Sequence, residues 1–211
     1  KFKYIREAGT EGEEKAGDEI LQTLAESGLT GSSEDFLFST YEITEERLIV
    51  TQPYEKEYQV TGYQRCGSTP KNGITAPFLY AENGDDISLS YARGKIVMIN
   101  GPVKKAVYQE LMDAGAVGFI TISGTPIDKG EDLKPAGYRL KDVDETPIQG
   151  VNIHYRDAME LVEKGATHVK LILQQKKVRR SSRNITAKIE GSDQPDEILT
   201  LSAHYDSVPQ E

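Results

Sequence analysis

The stretch from Gly94 to Ile122 places two apolar strand patterns on either side of an amphipathic helix pattern. Gly94–Asn100 predicts a strand, Pro102–Ala114 a helix with one apolar face, and Ala116–Ile122 a second strand. The same succession recurs later, with a strand at Ile148–His154, a helix at Arg156–Lys164 and a strand at His168–Leu173. Strand–helix–strand passages are the units from which α/β domains are built, so the sequence predicts an α/β fold.

A further helix is predicted near the N-terminus. Thr10-Glu-Gly-Glu13 has the form of a capping box, in which Thr10 caps the first turn and Glu13 reaches back toward the residues before it. An apolar stripe follows, formed by Ala16, Ile20, Leu21 and Leu24. Gly28 then predicts the end of this helix, because glycine readily adopts the left-handed conformation that closes a helix.

The segment Glu197–Val208 predicts a buried strand that ends with two polar groups. Ile198, Leu199 and Leu201 make it apolar on both faces, and His204 and Asp206 point to the same side of an extended chain. An imidazole beside a carboxylate suits a metal ligand with its supporting partner, or two neighbouring ligands. A histidine hydrogen-bonded to Asp206 without any metal is the alternative interpretation.

The run NITAKIEGSDQPDEILTLSAHYDSV, with a predicted turn at Ser192–Asp196, resembles the entry into the catalytic domain of the co-catalytic zinc aminopeptidases. The run R-x-x-G-T-E-G-E-x-x-A from Arg6 to Ala16 resembles the opening helix of the same family. The resemblance implies that His204 binds zinc and that Asp206 is the active-site carboxylate behind it. It also implies two zinc ions in the full-length protein, whose other ligands and general base lie downstream. We therefore expect an N-terminal portion of a larger hydrolase, which alone binds zinc weakly or not at all and is inactive.

The middle of the chain resembles the protease-associated domain, a small α/β unit inserted near the start of this aminopeptidase fold. The motifs that support this resemblance are G-K-I-V, A-G-A-x-G-F-I and T-P-I-Q-G-V-N-I. We predict a first peptidase segment at 1–61, including outer strands between Phe36 and Gln64, and an insert at 62–175. Residues 176–211 are predicted to form a linker followed by the second, incomplete peptidase segment with the H-x-D strand.

Composition narrows the classes of partner. The net charge of −9 argues against nucleic acid as a partner, because binding to phosphates depends on a positive surface. The basic run Lys176–Arg183 is interpreted as a solvated linker. No apolar run approaches the roughly 20 residues that a membrane helix needs, so no membrane contact is expected. The single cysteine, Cys66, and the lack of a signal-peptide pattern favour the cytoplasm over secretion.

Two functions are compatible with these features. The first is a zinc-dependent aminopeptidase that removes N-terminal residues from peptides. The second is a non-catalytic module in which the protease-associated insert gates substrate or mediates assembly. A second copy of the chain is a further expected partner, through the insert or through the apolar C-terminal strand.

Overall fold

The computed structural model describes residues 2–141, 147–192 and 197–207. Its α-helices are α1 (Glu11–Glu26), α2 (Asp86–Leu89), α3 (Lys105–Asp113) and α4 (Tyr155–Glu163). Its strands are β1 (Gly31–Gln52), β2 (Lys56–Tyr58), β3 (Val60–Gly62), β4 (Ile74–Tyr80), β5 (Ile96–Asn100), β6 (Gly118–Ser123), β7 (Gln149–His154) and β8 (His168–Ala187). The described chain divides into two compact units, one of Lys1–Thr40 and Val178–Glu211, the other of Tyr41–Lys177.

The strands form an eight-stranded mixed sheet in the order β2-β1-β8-β4-β5-β6-β7-β3. The four central strands β4 to β7 are parallel to one another, as the passage β5–α3–β6 predicts. The second predicted passage, β7–α4–β8, ends in a strand that is antiparallel to β4. Antiparallel pairs join β4 to β8, β3 to β7 and β1 to β2. The mixed α/β architecture predicted from the sequence is therefore confirmed.

Each face of the sheet in the second unit has its own apolar core. Val97 and Ile99 of β5 face the core that contains Tyr108 and Leu111 of α3. Ile96 and Met98 of the same strand face the opposite core, which includes Leu161 of α4. This alternation follows from the period of two along a strand, and it explains why β5 is apolar at four successive positions, Ile96 to Ile99.

The first unit is built around α1. Thr10 is its N-cap, and the Thr10 hydroxyl accepts a 3.5 Å hydrogen bond from the backbone of Glu13. The carboxylate of Glu13 in turn accepts a 2.6 Å hydrogen bond from the backbone of Gly9, so the reciprocal cap predicted from the sequence is formed one residue earlier than the ideal pattern. Gly28 ends the helix with a φ of 77°, and the backbone of Leu29 donates to Leu24 at 2.9 Å.

One long strand, β8, differs from the sequence-based expectation. The basic run at 176–183, interpreted as a linker, belongs to β8, which is 20 residues long. Its side chains alternate between exposed and less exposed, with Ser182 buried, so the period of a strand is present but is masked by the five basic residues. The compact second unit begins at Tyr41 within β1, and it includes β2, which pairs with β1, and β3, which pairs with β7.

The predicted strand at 197–208 is not formed. Residues 197–207 lie outside every strand, and Ile198, Leu199 and Leu201 are 83%, 88% and 90% exposed. A segment that is apolar on both sides forms a strand only between sheet neighbours and covering helices, and none of the described elements provides them. The turn predicted at 192–196 falls largely on residues 193–196, and Val208 follows the last described residue, so both predictions lie outside the described residues.

Candidate metal centre

His204 and Asp206 lie side by side in the segment that follows the exposed apolar residues. The Nδ1 atom of His204 is 3.2 Å from Oδ1 of Asp206 and 3.0 Å from the main-chain oxygen of the same residue. The imidazole is 83% exposed and the carboxylate 40%. Both acceptors favour a proton on Nδ1, which leaves the lone pair of Nε2 directed away from the carboxylate and accessible.

The residues between and after this pair attach the segment to the rest of the first unit. The hydroxyl of Tyr205 donates a 2.8 Å hydrogen bond to the main-chain oxygen of Arg183 in β8. The backbone of Ser207 donates to the main-chain oxygen of Arg6 at 3.0 Å, and the backbone of Arg6 donates to Oγ of Ser207 at 2.9 Å. The segment therefore alternates, with His204 and Asp206 on one side and the two anchoring residues on the other, as an extended chain predicts.

A polar cavity of about 350 Å³ lies beside the anchoring side. Its lining includes Thr10 and Glu13 at the start of α1, Arg183 of β8, and Tyr205. Burial is the largest cause of a raised pKa at the Tyr205 phenol, and the negative charge of Glu13 acts in the same direction. Tyr205 is therefore neutral and able to donate its hydrogen bond at physiological pH.

The metal-ligating groups in the described residues do not complete a zinc site. A catalytic zinc ordinarily has three protein ligands and a water molecule. Among the residues that the structure describes, no group of three or more His, Cys, Asp and Glu side chains is arranged to hold a metal ion. His204 with Asp206 fits one coordination position and its supporting carboxylate.

The other two histidines occupy strand positions, as the sequence suggested. His154 ends β7, where it is buried, with Nε2 3.2 Å from Oδ2 of Asp128 and Nδ1 accepting from the backbone of Arg156 at 3.2 Å. His168 begins β8, and its Nδ1 lies 3.3 Å from the hydroxyl of the adjacent Thr167. Sequence reasoning missed the contact between His154 and Asp128, because 26 residues separate the two positions.

Sequence reasoning also missed the roles of Arg6 and Tyr205. Besides its main-chain bonds to Ser207, Arg6 donates from Nε to the main-chain oxygen of Tyr205 at 2.5 Å. The signal for Arg6 was its place in the R-x-x-G-T-E-G-E motif, which by itself indicates only a helix start. Tyr205 occupies the variable position of H-x-D, where the sequence assigns no chemistry.

Comparison with known proteins identifies relatives that are about twice as long as this chain. No family model matches. Human carboxypeptidase Q is 28% identical over 218 residues, which cover 96% of this chain and 46% of that protein. The mouse carboxypeptidase Q is 27% identical with the same coverage. The chain thus spans about half the length of the curated relatives it matches.

Solved structures give a consistent picture of the fold. BSAP, a zinc aminopeptidase from Bacillus subtilis, superimposes with a TM-score of 0.72 and 25% sequence identity, over 97% of this chain and 48% of that one. A peptidase M28 precursor from Shewanella amazonensis also has a TM-score of 0.72 at 21% identity, over 96% of this chain and 51% of the other, and shows the fold alone.

The fold and these relatives show that the chain is similar to α/β peptidases, one of which is a zinc aminopeptidase. More particularly, the relatives are carboxypeptidase Q and zinc aminopeptidases of the M28 type. The resemblance to a zinc aminopeptidase family with a protease-associated domain, predicted from the motifs, is confirmed.

Proposed function

We propose that this chain is the portion of a zinc-dependent exopeptidase that supplies one metal-binding position, His204, with Asp206 as its supporting carboxylate. The observation that supports this proposal most directly is the 3.2 Å contact between Nδ1 of His204 and Oδ1 of Asp206, beside an exposed imidazole. Metal-binding histidines commonly use one ring nitrogen for the metal and donate the other N–H to a carboxylate.

Zinc held at His204 in a complete enzyme would supply polarisation of the scissile carbonyl and activation of a water molecule. The residues of this chain would hold and orient one metal ligand. Asp206 keeps the proton of His204 on Nδ1 and so leaves Nε2 as the free ligand atom. The peptide substrate is proposed on the relatives, whose names describe exopeptidases acting at opposite ends of a peptide. We propose the N-terminal end, following the aminopeptidase motifs of the sequence.

The 211-residue chain by itself is proposed to be inactive. At this site the described residues provide one imidazole, that of His204, and one carboxylate, that of Asp206, so water would fill most of the coordination sphere of a zinc ion bound there. Calorimetric titration with zinc, alongside hydrolysis of an aminoacyl-anilide, tests this proposal. We expect weak binding and no turnover. Submicromolar affinity together with measurable hydrolysis would show that residues of this chain complete a site.

Substitution of the ligand tests the assignment in any longer, active protein that contains this chain. His204→Ala should lower peptidase activity by several orders of magnitude, and Asp206→Asn by about 10–100-fold or more. His168→Ala is the control, because His168 is a partly exposed histidine that lies on β8 in the other unit. Near-normal turnover by the His204 variant would remove the ligand assignment. Cleavage of peptides with a blocked N-terminus would instead reject an aminopeptidase.

The second candidate function is a non-catalytic interaction module formed by the unit Tyr41–Lys177. One observation favours it, since this unit has an apolar core on each face of its sheet. Amide spectra of the isotope-labelled chain separate the two candidates. Zinc that perturbs signals around His204 supports the metal position, whereas a peptide that perturbs the unit Tyr41–Lys177 without zinc supports the module.

A further inference from the structure

Arg6 connects the first motif of the sequence to the last. The sequence assigns this residue only to the approach to α1, yet it contacts residues at the far end of the chain. Its backbone donates to Oγ of Ser207 at 2.9 Å and accepts from the backbone of Ser207 at 3.0 Å. Its Nε donates to the main-chain oxygen of Tyr205 at 2.5 Å. Three hydrogen bonds therefore join one arginine to the residues on both sides of Asp206.

The guanidinium of Arg6 is itself held in place. Its Nη1 lies 3.3 Å from the main-chain oxygens of both Phe2 and Tyr4, and its Cζ lies 5.5 Å from the centre of the Phe2 ring. A planar guanidinium with several fixed acceptors has a defined orientation. Its Nε–H is thereby directed at the carbonyl of Tyr205. A hydrogen bond from a charged donor is stronger than one from a neutral group.

The carbonyl of Tyr205 belongs to the peptide plane that leads into Asp206. Because a peptide is planar, an arginine that fixes this oxygen also fixes the direction in which the Asp206 backbone begins. The side chain of Tyr205 is fixed as well, because its hydroxyl donates a 2.8 Å hydrogen bond to the main-chain oxygen of Arg183. The contacts of Arg6 and Tyr205 thus support the position of Asp206, in addition to its direct contact with the imidazole of His204.

We infer that Arg6 and Tyr205 are positioning residues for His204. They hold the main chain of residues 205–207 so that Asp206 keeps the imidazole proton on Nδ1 and leaves Nε2 free to bind a metal. The metal-binding consequence rests on the proposed function, whereas the effect on the imidazole does not.

The tautomer of His204 is the property that tests this inference. An imidazole without a partner prefers its proton on Nε2, and contact with Asp206 reverses that preference. Nitrogen-15 spectra of the 211-residue chain, recorded near pH 8.5 where imidazoles are neutral, distinguish the two forms. Only three histidines are present, so the signals are readily assigned. We expect Nδ1–H to predominate at His204 in the unaltered chain.

Two variants and a control complete the experiment. Arg6→Ala removes the Nε contact, and Tyr205→Phe removes only a hydroxyl. Both should lower the ratio of the Nδ1–H to the Nε2–H form by several-fold, and should weaken zinc binding by less than about 10-fold, the lower limit for direct partners of a metal ligand. Arg179→Ala removes an exposed arginine from β8 in the same unit and should change neither property.

The outcomes separate the positioning role from the metal-binding function. Amide spectra of α1 report whether each variant folds, and if Arg6→Ala does not, the more conservative Tyr205→Phe decides. An unchanged tautomer ratio in folded Tyr205→Phe would overturn the inference. If the tautomer responds as expected but the unaltered chain shows no perturbation of His204 by zinc, the positioning role stands and the proposed function fails.

Discussion

Ser182 of β8 donates a hydrogen bond to the carboxylate of Glu13 in α1, with 2.5 Å between the two oxygen atoms and 169 residues between the two positions. Both side chains are buried, and the same carboxylate also accepts from the backbone of Gly9 at 2.6 Å. Glu13, which the local sequence indicates as the second member of the capping box, therefore also attaches α1 to β8.

Glu13→Gln should lower the free energy of unfolding of the first unit by about 1–3 kcal/mol. The amide that replaces the carboxylate has a single acceptor oxygen, so one buried donor or the new NH₂ group is left poorly paired. Urea denaturation followed by the signals of α1 measures the change. Glu14→Gln is the matched control, because Glu14 occupies the same turn but is exposed. Equal losses in the two variants would show that helix-end charge, and not the buried contact, is responsible.

The sequence predicts those elements that are marked by local capping residues or by a regular apolar pattern. The cap and end of α1 follow from Thr10, Glu13 and Gly28, and the strand–helix–strand passages follow from apolar periodicity. The lengths of β1 and β8 cannot be predicted in this way, because charged residues interrupt the apolar pattern where these strands are exposed. At the candidate site, the pairing of His204 with Asp206 follows from their spacing. The contribution of Arg6 depends on contacts about 200 residues apart, for which no local pattern exists.

A buried hydroxyl in the second unit leads to the next prediction. The phenol oxygen of Tyr63 accepts from the backbone of Val103 at 3.1 Å and from the hydroxyl of Thr121 at 3.0 Å. Thr121 in turn accepts from Nδ2 of Asn152 at 2.8 Å, which extends the network onto β7. Burial raises the pKa of Tyr63, so the phenol remains neutral at physiological pH.

Tyr63→Phe should destabilise the second unit by about 1–3 kcal/mol, since the ring contact with Phe119 is kept while two buried donors lose their acceptor. Thermal and urea denaturation measure this loss. Tyr80→Phe provides the comparison, because the Tyr80 hydroxyl bonds to Asn100 at the surface, where water can replace it. We expect a change below about 1 kcal/mol for that variant. A similar change in both would contradict the importance of the buried network.

The thiol of Cys66 is predicted to be unreactive in the folded chain. Burial raises the pKa of this thiol to about 12, against opposing hydrogen bonds from the backbone of Gly150 and the side chain of Gln175. Alkylation by iodoacetamide at pH 8 should therefore be slow, because the thiolate is the reactive form. Intact mass measured over time should show rapid modification only after urea is added. Rapid modification of the folded chain would contradict the burial of this residue.

The same shift predicts the dependence of stability on pH. The folded chain retains the thiol proton up to about pH 12, whereas the unfolded chain releases it near the ordinary value of 9.0. Between these two pH values the unfolded state binds fewer protons, so this group makes the free energy of unfolding fall as pH rises, by up to about 1.4 kcal/mol per pH unit. Burial raises the pKa values of Tyr63 and Tyr108 as well, which adds to the fall above pH 10. Cys66→Ala should reduce the slope between pH 9 and 10, and an unchanged slope would contradict this assignment.

The final prediction concerns where the second unit begins. The sequence predicts an inserted domain at 62–175, whereas the compact unit of the structure is Tyr41–Lys177. The shorter span lacks four buried side chains of one core, Leu48, Val50, Tyr58 and Val60. Full burial of an apolar side chain contributes about 1.5–3 kcal/mol, so the loss of four should exceed the stability of many small domains.

Residues 41–177 expressed alone should therefore unfold cooperatively in urea and protect the amides of β5, β6 and β7 from exchange. Residues 62–175 should show a much lower midpoint or no cooperative transition. Within the 211-residue chain, Leu48→Ala should cost about 2–5 kcal/mol, because Leu48 is fully buried and its removal leaves a cavity. Leu37→Ala on the same strand serves as the control, since Leu37 is 63% exposed. Equal midpoints for the two spans would instead place the folding boundary near residue 62, and β1 and β2 would then be dispensable additions to a sheet that is stable without them.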